Sequence, residues 1–162
     1  MRGLSSDQRA LLHHPAGWIA CGFGSGLSPV APGTAGSLAG LLPWLLLREL
    51  PVAYYALVLV LAFALGVGVC HWAVNALRVK DPATVVWDEF VGLWIALAPL
   101  LWLAHDWMWI FAGFILFRVF DIWKPWPVSW ADRHVAGGMG VMLDDVIAGI
   151  YAAIVIAVLH LI

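Results

Sequence analysis

The sequence predicts an all-α, polytopic integral membrane protein, a helical bundle of about five membrane helices. Two compositional facts and one pattern predict it. Of the 162 residues, 64% are hydrophobic and only 11% are charged, where a soluble domain carries about 25% charge. In lipid every backbone N–H and C=O must be paired within the protein, which leaves helices or a closed barrel. The apolar stretches are continuous and do not alternate, which argues against a barrel. One domain covering residues 1–162 is the natural reading.

The N-terminal MRGLSSDQRALLHHPAGW has no long apolar core followed by a small-residue cleavage site, so no removable signal peptide is predicted. Trp18 to Pro32 is uncharged and rich in Gly, Ser and Pro, the composition of a re-entrant or interfacial loop. The first helix, Ala35 to Leu47, starts near Thr34 to Ser37. It is short and interrupted by Pro43, and reads either as a full span or as a re-entrant segment. Val52 to Trp72 is wholly uncharged and long enough for a bilayer core of about 30 Å. Val85 to Ala104 is the third helix, with Asp88 and Glu89 in its first turns. Trp107 to Trp123 is the fourth, with Arg118 and Asp121 in its last turns. Val146 to Ile162 is the fifth, long enough if a first turn carrying Asp144 and Asp145 sits at the interface.

Lys and Arg placement orients the bundle. With the N-terminus inside, Arg2, Arg9, Arg78, Lys80, Arg118, Lys124 and Arg133 are cytoplasmic and only Arg48 is outside. The C-terminus is then outside. Trp44, Trp102, Trp107 and Trp109 would mark the outer interface, and Trp72, Trp87, Trp123, Trp126 and Trp130 the inner one. In this orientation every charged helix end is cytoplasmic.

A carboxylate at the centre of a membrane helix costs about 2.5–3.5 kcal/mol and usually faces a functional cavity. Asp88 and Glu89 could instead simply complement a helix N-terminus. Arg118, Asp121 and Lys124 recur every three residues and share a helical face, which also suits a salt-bridge ladder of snorkelling side chains. Asp144 and Asp145 follow GGMGVML, and taken alone would read as helix caps. Together the three clusters supply hard oxygen ligands for Mg²⁺ and guanidinium and ammonium groups for phosphoryl oxygens. No His–Cys cluster favours zinc. GFGSGLSPVAPGTAGS, Gly22 to Ser37, offers glycine backbone and the hydroxyls of Ser28, Thr34 and Ser37 to an anion, or is only a tightly packed loop. It lacks the Gly-Lys-Ser/Thr of a nucleotide loop. His13, His14 and His160 read as surface or interfacial. His71 and His134 are weak proton-transfer candidates, and Cys21 and Cys70 read as packed thiols. The net charge of −2 and the lack of a basic run give no support for nucleic-acid binding.

The segments GLSPVAPGTAGSLAG, DPATVVWDEFVG, FRVFDIWKPWPVSWAD and GGMGVMLDDVIAGIYA together resemble the phosphatidylglycerophosphatase A family of bacterial membrane lipid phosphatases. Trp87 stands where that pattern often has an aliphatic residue. The resemblance implies Mg²⁺-dependent removal of the terminal phosphate of phosphatidylglycerophosphate at the inner membrane. The expected metal set is Asp88, Glu89, Asp121, Asp144 and Asp145. Asp88, Glu89, Asp121 and Asp145 are expected to be catalytic, and Arg118, Lys124, Ser28, Thr34 and Ser37 to bind phosphate. A small divalent-cation transporter and a CDP-alcohol phosphotransferase are the competing classes. The first should show midplane acids and an internal repeat, the second a spaced Asp-Gly-Ala-Arg motif, and neither feature is present.

Overall fold

The computed structural model describes residues 6–103 and 106–161, and the described residues form helices and turns with no strand. Two short helices, α1 (Ser6–Leu12) and α2 (Pro15–Ala20), precede a 3₁₀ turn over Gly22–Leu27. Then come α3 (Pro32–Leu47), α4 (Val52–Leu77) and α5 (Trp87–Leu97), the last extended by a 3₁₀ turn over Ala98–Leu101. The chain ends with α6 (Trp107–Trp123), the short α7 (Val128–His134) and α8 (Gly137–His160).

α4 and α8, of 26 and 24 residues, are long and apolar enough to cross a membrane. At about 1.5 Å per residue each exceeds the roughly 30 Å of a bilayer core. α4 leaves Leu57, Val60, Leu61 and Leu65 exposed along its length, a surface that suits lipid rather than water. α5 lies at the centre. All of its residues but Ile95 are buried, and it packs against α3, α4, α6 and α8. Its closest neighbour is α8, and small residues set that approach. A Cβ on Gly149 would lie 2.3 Å from the Gly92 carbonyl oxygen, and one on Gly92 would lie 2.8 Å from that of Asp145. Any side chain at either position would push the two backbones apart.

Indole and phenol groups tie α3, α4 and α5 together. Trp94 Nε1 donates to the Gly40 carbonyl at 2.8 Å and Trp87 Nε1 to the Ala62 carbonyl at 3.0 Å. Tyr55 Oη donates to the Trp94 carbonyl and accepts from Trp44 Nε1 at 3.2 Å. Trp44 and Trp87 are therefore core residues, not the interfacial markers expected from their positions. Trp102, Trp107, Trp123, Trp126 and Trp130 are exposed. Both cysteines are free and buried.

Several boundaries differ from the sequence reading. α3 begins at Pro32, whose missing N–H costs nothing at a helix start, and stays helical through Pro43. The third helix is shorter than Val85 to Ala104, because Pro99 lies just past its α-helical part. The largest difference is at α8, which starts seven residues before Asp144. Gly138 is helical because α8 meets α4 there, whereas Gly137 at the helix start has a left-handed φ of 69°. A Cβ on Gly138 would lie 2.0 Å from the Val67 carbonyl oxygen of α4. Asp144 and Asp145 thus lie inside a helix and cap nothing. Arg2, Ala104 and Ile162, which entered the sequence reading, lie outside the described residues.

Candidate active site

Three helices and one loop deliver polar groups to a single cavity of about 280 Å³. α5 brings Asp88 and Glu89 in its first turn, and α8 brings Asp144 and Asp145. From α6 come Asp121 and Lys124, the latter a left-handed C-cap residue with φ 47°. The α4–α5 loop adds Asp81, and Pro32 and Gly33 at the head of α3 complete the wall. The cavity has six carboxylates and one ammonium on its wall, with the Arg118 guanidinium bound to two of the carboxylates.

Arg118 Nη1 donates to Glu89 Oε2 and pairs with Asp121 Oδ2 at 2.9 Å, one turn along α6. Ser37 Oγ donates to the same Glu89 oxygen at 2.7 Å and lies 3.3 Å from Arg118 Nη1. This hydroxyl is therefore engaged in holding Glu89 rather than free for an anion. Lys124 Nζ bonds Asp144 Oδ2 at 2.8 Å and Asp132 Oδ1 of α7 at 2.9 Å. Burial alone would lower the Lys124 pKa, but these two carboxylates outweigh it and hold the ammonium above its ordinary range. Burial pushes the Asp81 carboxyl up, against the opposing pull of Lys124.

Two oxygens have no protein partner. Asp88 Oδ1 and Asp145 Oδ2 are buried and accept no hydrogen bond. Buried polar atoms are nearly always satisfied, so such a pair calls for a cation or water. An excess of hard oxygen donors with orphaned lone pairs fits Mg²⁺ and suits softer metals poorly. Among the described residues no three His, Cys, Asp or Glu side chains already converge as a ligand set. Glu89, Asp121 and Asp144 face Arg118 or Lys124 instead. The donors fit the ion by chemistry and charge, with oxygens of Asp88 and Asp145 unpartnered and Glu89, Asp121 and Asp144 paired to cationic side chains.

Of the expected phosphate ligands, Ser28 donates its hydroxyl to the Val30 carbonyl at 2.7 Å and does not border the cavity, nor does Thr34. From Gly22 to Ser37 only Pro32 and Gly33 reach it. Gly33 is there for space: a Cβ would lie 2.2 Å from Glu89 Oε1. His134 stacks on Trp130 and faces its carbonyl, and His71 lies against Gly137, both away from the cavity wall. Two participants escaped the sequence reading. Asp81 sits in a loop assigned to the same membrane side as the other acids, and that shared side was the available signal. Asp132, next to Arg133, carries the same mark, but its pairing with Lys124 depends on the turn between α6 and α7.

The family model for phosphatidylglycerophosphatase A matches residues 18–160. An Escherichia coli protein named phosphatidylglycerophosphatase A is 47% identical over 148 residues, covering 91% of this chain and 85% of the relative. A Haemophilus influenzae protein of the same name is 47% identical over 146 residues, covering 90% and 88%. A Bacteroides thetaiotaomicron protein, provisionally named a phosphatidylinositol-3-phosphatase, is 45% identical over 152 residues, covering 86% of this chain and 90% of its own length. No solved structure matches.

Proposed function

Because the chain belongs to the phosphatidylglycerophosphatase A family, we propose that it hydrolyses the terminal phosphate monoester of phosphatidylglycerophosphate to leave phosphatidylglycerol. The observation that carries this reading is the convergence of six carboxylates and Lys124 on one cavity, with Arg118 paired to two of those carboxylates. Such a mixture of signs suits a phosphate dianion and its counter-cation. It favours hydrolysis over cation transport, in which a cationic side chain in the site would oppose the cargo.

In this reading the whole chain is one membrane unit that crosses the bilayer five times, with α3, α4, α5 with its 3₁₀ extension, α6 and α8 as the crossings. The N-terminus and the cavity are cytoplasmic, and the C-terminus is outside. The acyl tails then stay in the bilayer while the phosphate enters the cavity at headgroup depth.

Asp88 and Asp145, with their unpaired oxygens, would hold Mg²⁺, together with Asp121, Asp144 or Glu89. Bound there, the ion would polarise phosphoryl oxygens and lower the pKa of water. Arg118 is oriented by Glu89, Asp121 and Ser37, so its guanidinium is preset to neutralise charge developing on the phosphoryl group. Lys124 supplies a second positive charge from the C-terminal end of α6. A carboxylate not committed to the cation accepts the proton of the attacking water.

The test is phosphate release from phosphatidylglycerophosphate by the purified chain in detergent micelles, with and without chelator. Release that stops with EDTA and returns with Mg²⁺ is expected. No release with Mg²⁺ present would remove the phosphatase reading. Release unaffected by chelation would remove the metal.

A further inference from the structure

Beside the acidic cavity runs an apolar groove of about 510 Å³ on α6, bordered by Ile115, Arg118, Val119, Ile122 and Trp123. We propose that this groove binds one acyl chain of the substrate lipid, so that the lipid enters sideways from the bilayer between α3 and α6. The proposal rests on the lipid-phosphatase reading and adds where the tail lies.

Continuity with the cavity singles this groove out. Ile122 borders both hollows, on one side among the acids and on the other among Ile115 and Val119. Arg118 borders the groove while its Nη1 is bound to Glu89 and Asp121, both of which line the cavity. A phosphate held in the cavity therefore has an apolar path leading away from it past Ile122. An arginine whose stem lies along apolar surface and whose head meets charge is well placed at such a junction. Two other apolar hollows lack this link. One lies along Leu61, Leu65, Trp87 and Trp94, the other near Leu12, Trp18 and Phe23, and neither shares a residue with the acidic cavity.

The packing order leaves the way open. α3 and α6 each pack on α5 but scarcely on each other, and they meet chiefly through Arg118 and Ser37. The head of α3 and the C-terminal end of α6 both border the cavity. The side chains facing outward along the path are exposed apolar ones: Ile122 is 71% exposed and Val119 46%. A lipid tail lying here would stay within hydrocarbon throughout, while its headgroup turned into the protein.

Val119→Trp and Ile115→Trp narrow the groove without touching the acids. With the purified chain in mixed micelles, KM for dioleoyl phosphatidylglycerophosphate should rise about tenfold, the equivalent of roughly two methylenes excluded from contact. Turnover at saturation should hold within about twofold, as should hydrolysis of the deacylated headgroup glycerophosphoglycerophosphate. Val60→Trp, on the exposed face of α4, should change neither substrate's kinetics. An unchanged KM for the diacyl lipid, or equal losses on both substrates, overturns the proposal.

Binding is read separately with lipids carrying a photoreactive diazirine in one acyl chain. Labelling of residues 115–123 by the phosphate-bearing lipid should fall when unlabelled phosphatidylglycerophosphate is added and not when phosphatidylcholine is added. Equal labelling by a diazirine phosphatidylcholine would make the groove an ordinary bilayer contact. Efficient disulfide linkage between two Val119→Cys chains would make it a face for a second copy. Either result overturns the proposal. Competed labelling by a chain that releases no phosphate would leave the groove standing and remove the phosphatase reading. Phosphate release with uncompeted labelling would do the reverse.

Discussion

Gly33→Ala should separate activity from stability. The added methyl would lie 2.2 Å from Glu89 Oε1 and 3.2 Å from Arg118 Nη2. The first distance is roughly 1 Å short of van der Waals contact, so Glu89 must retreat by about that much. It cannot retreat alone, because its other oxygen is held by Ser37 at 2.7 Å and by Arg118. The whole Glu89–Arg118–Ser37 cluster has to shift. A displacement of about 1 Å in a catalytic constellation costs on the order of 10²-fold in rate. The effect on folding is smaller: overpacking of this kind costs about 1–3 kcal/mol, offset in part by the preference of alanine over glycine in a helix. We therefore expect kcat for phosphatidylglycerophosphate to fall about 10²-fold, with a cooperative melt in detergent whose midpoint lies no more than a few degrees below that of the parent. Phosphate release at saturating lipid, with a melting curve on the same preparation, reads both. Shortening the acid should relieve the clash, so Gly33→Ala/Glu89→Asp should be no slower than Glu89→Asp alone. Near-parental turnover in a folded Gly33→Ala protein would show that the position of Glu89 does not matter to the chemistry.

Asp88→Asn and Asp145→Asn should each lower kcat by about 10²-fold or more and raise the Mg²⁺ concentration needed for half-maximal rate. Turnover near the parental level in both would exclude their orphaned oxygens from the reaction. The raised pKa of Lys124 means that its pairs with Asp132 and Asp144 contribute stability fully present below the ordinary lysine value of about 10.4 and lost as pH climbs beyond it. The difference in thermal midpoint between the parent and Lys124→Met should thus be flat from pH 8 to about 10 and shrink above that. A difference that vanishes near neutrality would contradict the pairing. For the orientation, single cysteines at Arg78 or Arg133 should resist a membrane-impermeant maleimide applied outside intact cells, and one at Arg48 should react. The opposite pattern would invert the proposed topology. The native Cys21 and Cys70 are buried, which should leave little background labelling.

The sequence was most legible where one physical signal dominated. α6 runs over the expected Trp107 to Trp123, because an apolar run broken only by Arg118 and Asp121 ends at a proline two residues on. Asp88 and Glu89 start a helix as expected, and both border the cavity although adjacent residues point about 100° apart. The start of α8 was not legible. Glycine serves turns and close helix contacts alike, and only the position of α4 decides between them at Gly138. Ser37 was singled out for its hydroxyl, but sequence cannot tell a serine that meets a ligand from one that steadies a carboxylate 52 positions away. Asp81 and Asp132 needed the path of two loops, which apolar periodicity does not encode. Trp44 and Trp87 were read by depth alone, whereas their indole N–H groups find partners inside the bundle.

The contact at Gly92 and Gly149 makes main chain, rather than side-chain rotamers, the spacer between the two helices that carry Asp88 and Asp145. That part of the molecule works as a fixed jig. The loop around Asp81 and the α6–α7 turn lie outside that contact and can be reshaped without altering it. A scaffold divided in this way can keep one hydrolytic geometry while the walls around it are recut.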